Sequence, residues 1–358
     1  MPFSAVDAIS PALEHTKRQL LQPFRLGQWV RLALVGLLAG ELSSGGFKVP
    51  NLSNFNLPRH PGREHFLAPD FAGPDLMLFA GLIAVLVVAA FLLGILLTYV
   101  SSVMRFILFD SVLVKECHIR EGWSRRQGPG WHYFLWKLLY LLATFGVLIV
   151  LVGIPAGFAF AVGWLNDPRQ HMAALVLGGI ALFLAIMIFV IGMAVIYVLT
   201  KDFVVPQMAL ENIGALEGWR RLWAMMKAEK SSYAGYIGMK IVLAIVVGII
   251  LGIVGFIIGL IILIPAAGVA VAAVLGGKAA GLGWTAATIT LAVVAGSVLL
   301  AVFLFVMALI SVPVIVFFPA YSIYFFAARY PALSSALYPA PPAPPPYNPP
   351  PLPAAPAG

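Results

Sequence analysis

Charge and cysteine are the two scarcities that narrow this sequence most. Only 10% of its 358 residues are charged, against roughly 25% in a soluble domain, while 61% are apolar. A lone cysteine, Cys117, excludes an intrachain disulfide framework. Catalytic signatures are missing too. There is no His-Glu-x-x-His, no phosphate-cradling Gly-x-x-x-x-Gly-Lys-Ser/Thr loop and no Gly-x-Ser-x-Gly elbow. His60 and His65 share one stretch with Glu64 and Asp70, which reads as a polar loop. The sequence therefore nominates no catalytic residue, no metal ligand set and no cofactor, and the expectation is that the protein is not an enzyme.

Long apolar runs are abundant instead. Residues 76–104, 138–166, 170–200, 241–277 and 279–328 contain no charge, and each exceeds the ~20 residues that cross a ~30 Å hydrocarbon core. Lipid offers the backbone no hydrogen-bond partner, so these runs must be helical. The alternating pattern of an outer-membrane barrel does not occur. Residues 32–47 form a shorter run, interrupted by Glu41 and flanked by Arg31 and Lys48. Its depth in the chain argues against a cleavable signal peptide, so it counts as a first span. The predicted fold is all-α: a polytopic transmembrane helical bundle of about six spans, at 29–46, 76–100, 136–164, 171–199, 237–264 and 284–312.

The net charge of +8 invites a nucleic-acid partner, but its distribution argues against one. Lys and Arg alternate between loops, 17 on one side of the predicted spans and 5 on the other, as the positive-inside rule requires. The expected location is a bacterial inner (plasma) membrane with both termini cytoplasmic. The predicted domain 29–330 is preceded by an amphipathic cytoplasmic segment, 1–28, with Ile9, Leu13, Leu20 and Leu21 on one side. Ser10-Pro11 is its expected start. Residues 47–75 form an outer loop rich in Asn, Pro and Gly.

One block recurs. Phe106 is followed by Glu121-Gly122-Trp123 and Arg125-Arg126, and Phe203 by Glu217-Gly218-Trp219 and Arg220-Arg221, the tripeptides lying 96 residues apart. Three pseudo-repeats are expected, each a cytoplasmic interfacial helix followed by a transmembrane hairpin, with interfacial segments at 105–126 and 203–230. In the second, Ile213, Leu216, Trp219, Trp223 and Met226 recur at helical spacing. Trp29, Trp123, Trp219 and Trp223, with Arg125, Arg126, Arg220, Arg221, Lys227 and Lys230, suit a boundary with anionic headgroups. The Glu-Gly-Trp unit itself reads as the hinge of such a helix.

Ionisable groups inside spans mark functional pathways, and here Glu41 is the only carboxylate within a predicted span, near its outer end. Glu41, Glu121 and Glu217 are the candidate functional carboxylates. Lys137 and Lys240 fall at equivalent inner span ends and read as snorkelling anchors. Gly248, Gly252, Gly255 and Gly259 form one packing face, and Pro155 and Pro265 are expected to end or kink their helices. Residues 331–358 change character: from Pro339 onward 11 of 20 are proline. That is a disordered tail, solvated or a ligand for a proline-binding protein partner.

Asp202-Phe203-Val-Val-Pro206, Glu217-Gly-Trp-Arg-Arg221 and Pro23-Phe24 with Trp29 resemble the glycerophosphoryl diester phosphodiesterase membrane-domain family and the related YciC-type six-helix membrane proteins. The resemblance spans most of 15–330. It implies a membrane module without the catalytic domain, since only the tail follows the last span. The expected function is a non-enzymatic scaffold or accessory module with a basic lipid-contacting face. The alternative is a small-molecule or lipid transporter with a cavity between pseudo-repeats.

Overall fold

The computed structural model describes residues 4–41, 74–164, 167–279 and 285–338. Among these, every regular element is helical. Five helices are long and apolar enough to cross a membrane: α3 (Pro74–Val114), α4 (Ile119–Ala161), α5 (Met172–Leu199), α8 (Lys230–Ala279) and α9 (Ala286–Ala327). Shorter helices gather at their ends: α1 (Ile9–Leu21), α2 (Leu26–Leu38), α6 (Val205–Glu211), α7 (Ala215–Ala228) and α10 (Pro331–Leu337). A π-helical turn, Thr200–Val204, carries α5 into α6 without a break.

The core sits at one end of the long helices. Buried side chains run from Val103 to Val112 in α3, at Tyr133 and Phe134 in α4, from Leu199 to Ala209, at Tyr233 and Tyr236 in α8, and from Met307 to Ala327 in α9. Thus the C-terminal ends of α3, α5 and α9 meet the N-terminal ends of α4 and α8, and consecutive long helices alternate in direction. Away from this end the apolar lengths stay uncovered. The most apolar stretches of α3, α4, α5 and α8 are 0% buried, a surface that hydrocarbon accepts and water does not.

Several expectations are corrected. Helix α2 has 13 residues, about 20 Å of rise. It lies beside the 105–117 end of α3: Gln28 donates to Lys115 O and Arg105 reaches back to Ala39 O. The rest of the predicted first span, the 47–75 loop and the proline-rich part of the tail lie outside the described residues. Pro155 and Pro265 end nothing; α4 and α8 run through both. Of the glycine row, Gly255 and Gly259 face Met307 and Phe303 of α9, whereas Gly252 has open space beside it. Gly248 is half-buried.

Helix α1 starts at Ile9, ahead of the expected Ser10-Pro11 cap. It turns inward a face other than the predicted one. Ala8, Ala12, His15, Gln19 and Leu20 are buried, while Leu13 and Leu21 are exposed. Small residues allow close approach, and the polar ones find partners on α3: His15 Nε2 is 2.8 Å from Val112 O, and Gln19 donates to Ser111 O at 2.8 Å. Burial pushes the His15 imidazole below its ordinary range.

Candidate functional site

The interfacial segments are not free-standing helices. Residues 105–114 complete α3, and 119–126 open α4, the break falling at Lys115 with φ 66°. In the second block the π-helical turn and α6 continue α5 until Asn212, with φ 55°, and α7 follows. Both breaks use the left-handed conformation that ends helices.

Each Glu-Gly-Trp unit packs onto the residue following the block's phenylalanine. A Cβ added to Gly122 would stand 3.1 Å from Ile107, and one added to Gly218 would stand 2.7 Å from Val204. At Gly218 a side chain would force Val204 to shift, and at Gly122 it would crowd Ile107. Trp219 then donates to Thr200 Oγ1 at 3.0 Å, latching α7 to the π-helical turn. Trp123 meets Tyr99 edge to face. The phenylalanines themselves pack against tyrosines one helical turn before a lysine: Phe106 edge to face with Tyr133, ahead of Lys137, and Phe203 tilted on Tyr236, ahead of Lys240.

Beside these rings lies a charge cluster that the sequence reading missed. Glu41 is buried and paired with both Arg105 and Lys201. Asp202, the next residue along, is equally buried and accepts from Lys240 Nζ and from Tyr236 OH, the latter at 2.9 Å. The widened π-helical turn presents the adjacent Lys201 and Asp202 to opposite partners, and such turns recur at functional sites. Lys137 Nζ lies 3.1 Å from Ser101 Oγ, one helical turn from Arg105. Glu41 is therefore not an outer-end residue, and Lys240 is not a snorkelling anchor. A buried charge needs a counter-charge, and Asp202 supplies it from within the protein.

The remaining predicted residues divide. Arg126 turns inward, gripping Asp110 at 2.6 and 2.7 Å and donating to Ala209 O. It ties α4 to α3 and α6 and is not a lipid contact. Arg125 is exposed near Asp110. Trp29 donates to Leu20 O and packs on Phe24. Helix α7 buries Ala215, Gly218 and Leu222, so the tryptophan stripe is not its inner face. Trp219 is half-buried, while Leu216 and Trp223 are exposed at 73% and 55%. They lie beside Arg220 and Lys227, with the Lys227 ammonium over the Trp223 ring. Lys230 is exposed. Glu217 bonds to Arg221 and Arg220, which hold its carboxyl below the usual range. Glu121 lines a separate cleft of about 190 Å³ with Asp110, Glu116, His118 and Arg125. Among the described residues, no His, Cys, Asp and Glu group has the arrangement to hold a metal.

Five membrane-length helices closed at one end around buried ion pairs define the class: an all-helical, multi-pass membrane-type protein. The chain belongs to DUF7544, a family of unknown function, whose family model matches residues 3–336. No curated protein and no solved structure matches it.

Proposed function

We propose that this protein is a non-enzymatic scaffold or accessory module of a bacterial inner membrane, with a basic face held against anionic headgroups. The carrying observation is the outer edge of α7. There the exposed Leu216 and Trp223 run alongside Arg220 and Lys227 at the end where the apolar lengths stop. An aromatic and aliphatic row flanked by cations suits the boundary between headgroup and hydrocarbon. The alternation of Lys and Arg between loops supports cytoplasmic termini.

Internal duplication is part of the same reading. Support comes from the matched packing of Gly122 on Ile107 and Gly218 on Val204, and from the matched breaks at Lys115 and Asn212, each nine residues beyond its phenylalanine. A sixth crossing needs chain beyond Glu41, and the likeness to glycerophosphoryl diester phosphodiesterase membrane domains stands as a proposal of shared architecture.

The test uses the full chain in vesicles mixing zwitterionic lipid with brominated phosphatidylglycerol. Tryptophan quenching should exceed that from brominated phosphatidylcholine. The variant R220Q/R221Q/K227Q/K230Q should remove the excess, and equal quenching in the unaltered protein would sink the lipid-facing reading.

One observation favours a second reading, transport. The Glu41, Arg105, Lys201, Asp202 and Lys240 cluster crosses between helices at a π-helical turn, where ionisable groups often relay ions. The adjoining cleft holds about 20 Å³, room for about one water. A relay would collapse a pH gradient across reconstituted vesicles faster than empty ones do, and parity with empty vesicles rejects it.

A further inference from the structure

We propose that the cluster of the buried Arg105, Lys201 and Lys240 with the half-buried Lys137 binds the phosphate of one anionic phospholipid. This inference rests on the lipid-contacting reading and locates a discrete site within it. The four cations come from α3, α4, the π-helical turn and α8, and each stands where an uncharged run ends: 104/105, 137/138, 200/201 and 240/241. They therefore share one level, the one at which lipid phosphates begin. Against these four basic side chains stand two carboxylates, Glu41 and Asp202. Lys137 lies within Coulombic reach of Arg105 and Lys201, and Lys201 of Lys240. Three buried cations thus share two carboxylates, with Lys137 at their edge, and a buried unmatched ion is costly.

Polar atoms near the cluster also wait for a partner. Arg105 Nε is buried and unbonded although the Arg105 Nη atoms hold Glu41 and Ala39 O, and the Tyr133 hydroxyl is buried and unbonded as well. Arg105 and Lys201 line a cleft with Asp202, Pro206 and Ser322, while Lys137 and Lys240 stand outside its lining. Its volume of about 20 Å³ admits about one oxygen atom, such as one phosphate oxygen entering while the rest of the headgroup stays outside. A guanidinium with ammonium neighbours is the donor set that phosphate takes. The bare apolar flanks of α3 and α5 above it suit acyl chains.

The full-length protein, purified in a maltoside detergent and stripped of lipid, is titrated with phosphatidylglycerol, phosphatidylcholine or inorganic phosphate. Native mass spectrometry and thermal unfolding are the readouts. The expected result is one phosphatidylglycerol per chain with a raised midpoint, weakened about tenfold or more in Lys137→Met and retained in Lys137→Arg. Lys137 belongs to no ion pair, so its neutralisation leaves the Glu41 and Asp202 bonds in place. The R220Q/R221Q/K227Q/K230Q variant separates the two ideas. Retained stoichiometric lipid with lost bromolipid quenching supports the discrete site beside a surface one. An equal midpoint shift from inorganic phosphate would assign the site to a free anion and overturn the lipid assignment. Absence of stoichiometric lipid in the unaltered protein, or a Lys137→Met variant binding as tightly as it does, overturns the site. In either case the quenching result for α7 stands or falls by itself.

Discussion

Replacing Glu41 by Gln is expected to destabilise the protein by about 3–5 kcal/mol, lowering its unfolding midpoint in detergent by on the order of 10 °C. Gln keeps the shape and loses the charge, so Arg105 and Lys201 are left buried against each other. Arg105 is 4% exposed and Lys201 8%, so neither can turn to water without opening the core. The penalty arises from breaking the set and not from the set's own worth. A triple variant, E41L/R105L/K201L, should therefore be far milder than the single change, because replacing a whole buried ionic group with apolar side chains is often neutral. A shift below about 1 kcal/mol, the range of an exposed pair, would show that Glu41 faces water and is not sealed in this cluster.

Asp202→Asn is the second large effect, again about 3–5 kcal/mol. Asp202 accepts from Lys240 and Tyr236 with 3% of its surface exposed. Asn brings an amide in place of one acceptor oxygen and leaves the Lys240 charge without a counter-ion. Adding Lys240→Met should recover much of the loss, since the pair is coupled and its two changes are not additive. Thermal unfolding of the two single variants and the double variant closes that cycle. If the double variant loses the sum of the singles, Asp202 and Lys240 act independently, contrary to the geometry. Lys201 and Asp202 are neighbours in the chain, so a change at either is also expected to disturb the π-helical turn that displays both.

Most of the architecture was legible because lipid leaves the backbone a single choice. The uncharged runs beginning at 76, 138, 170, 241 and 279 had to be helical, and among the described residues each carries one long helix. The repeated Glu-Gly-Trp unit pointed to a junction between helices, and Gly122 and Gly218 prove to sit in tight contact with Ile107 and Val204. The charge cluster was not legible, for an equally physical reason. A charge that ends an apolar run looks the same whether the helix stops there or continues into a packed body. Arg105 and Lys201 were counted with loops, yet α3 runs on to Val114 and the α5 helix on through α6 to Glu211. One clue was present: Asp202 has apolar or aromatic residues on most sides in sequence, a poor setting for a solvated carboxylate. Likewise the inner face of α7 could not be chosen by spacing alone, because Ala215, Gly218 and Leu222 form a stripe as regular as that of its tryptophans.

Composition and run length by themselves determined that this chain is helical, membrane-suited and basic in alternate loops, since each follows from local solvation and needs no partner. Tertiary structure alone decided which charges are buried and whom they face. Glu41 meets Lys201 across 160 residues, and Asp202 meets Lys240 only because α8 returns beside the π-helical turn. Such pairings depend on where distant helices cross, and that is set by packing at Gly36, Gly122, Gly130 and Gly218, where backbones come close enough for the side chains beyond them to touch.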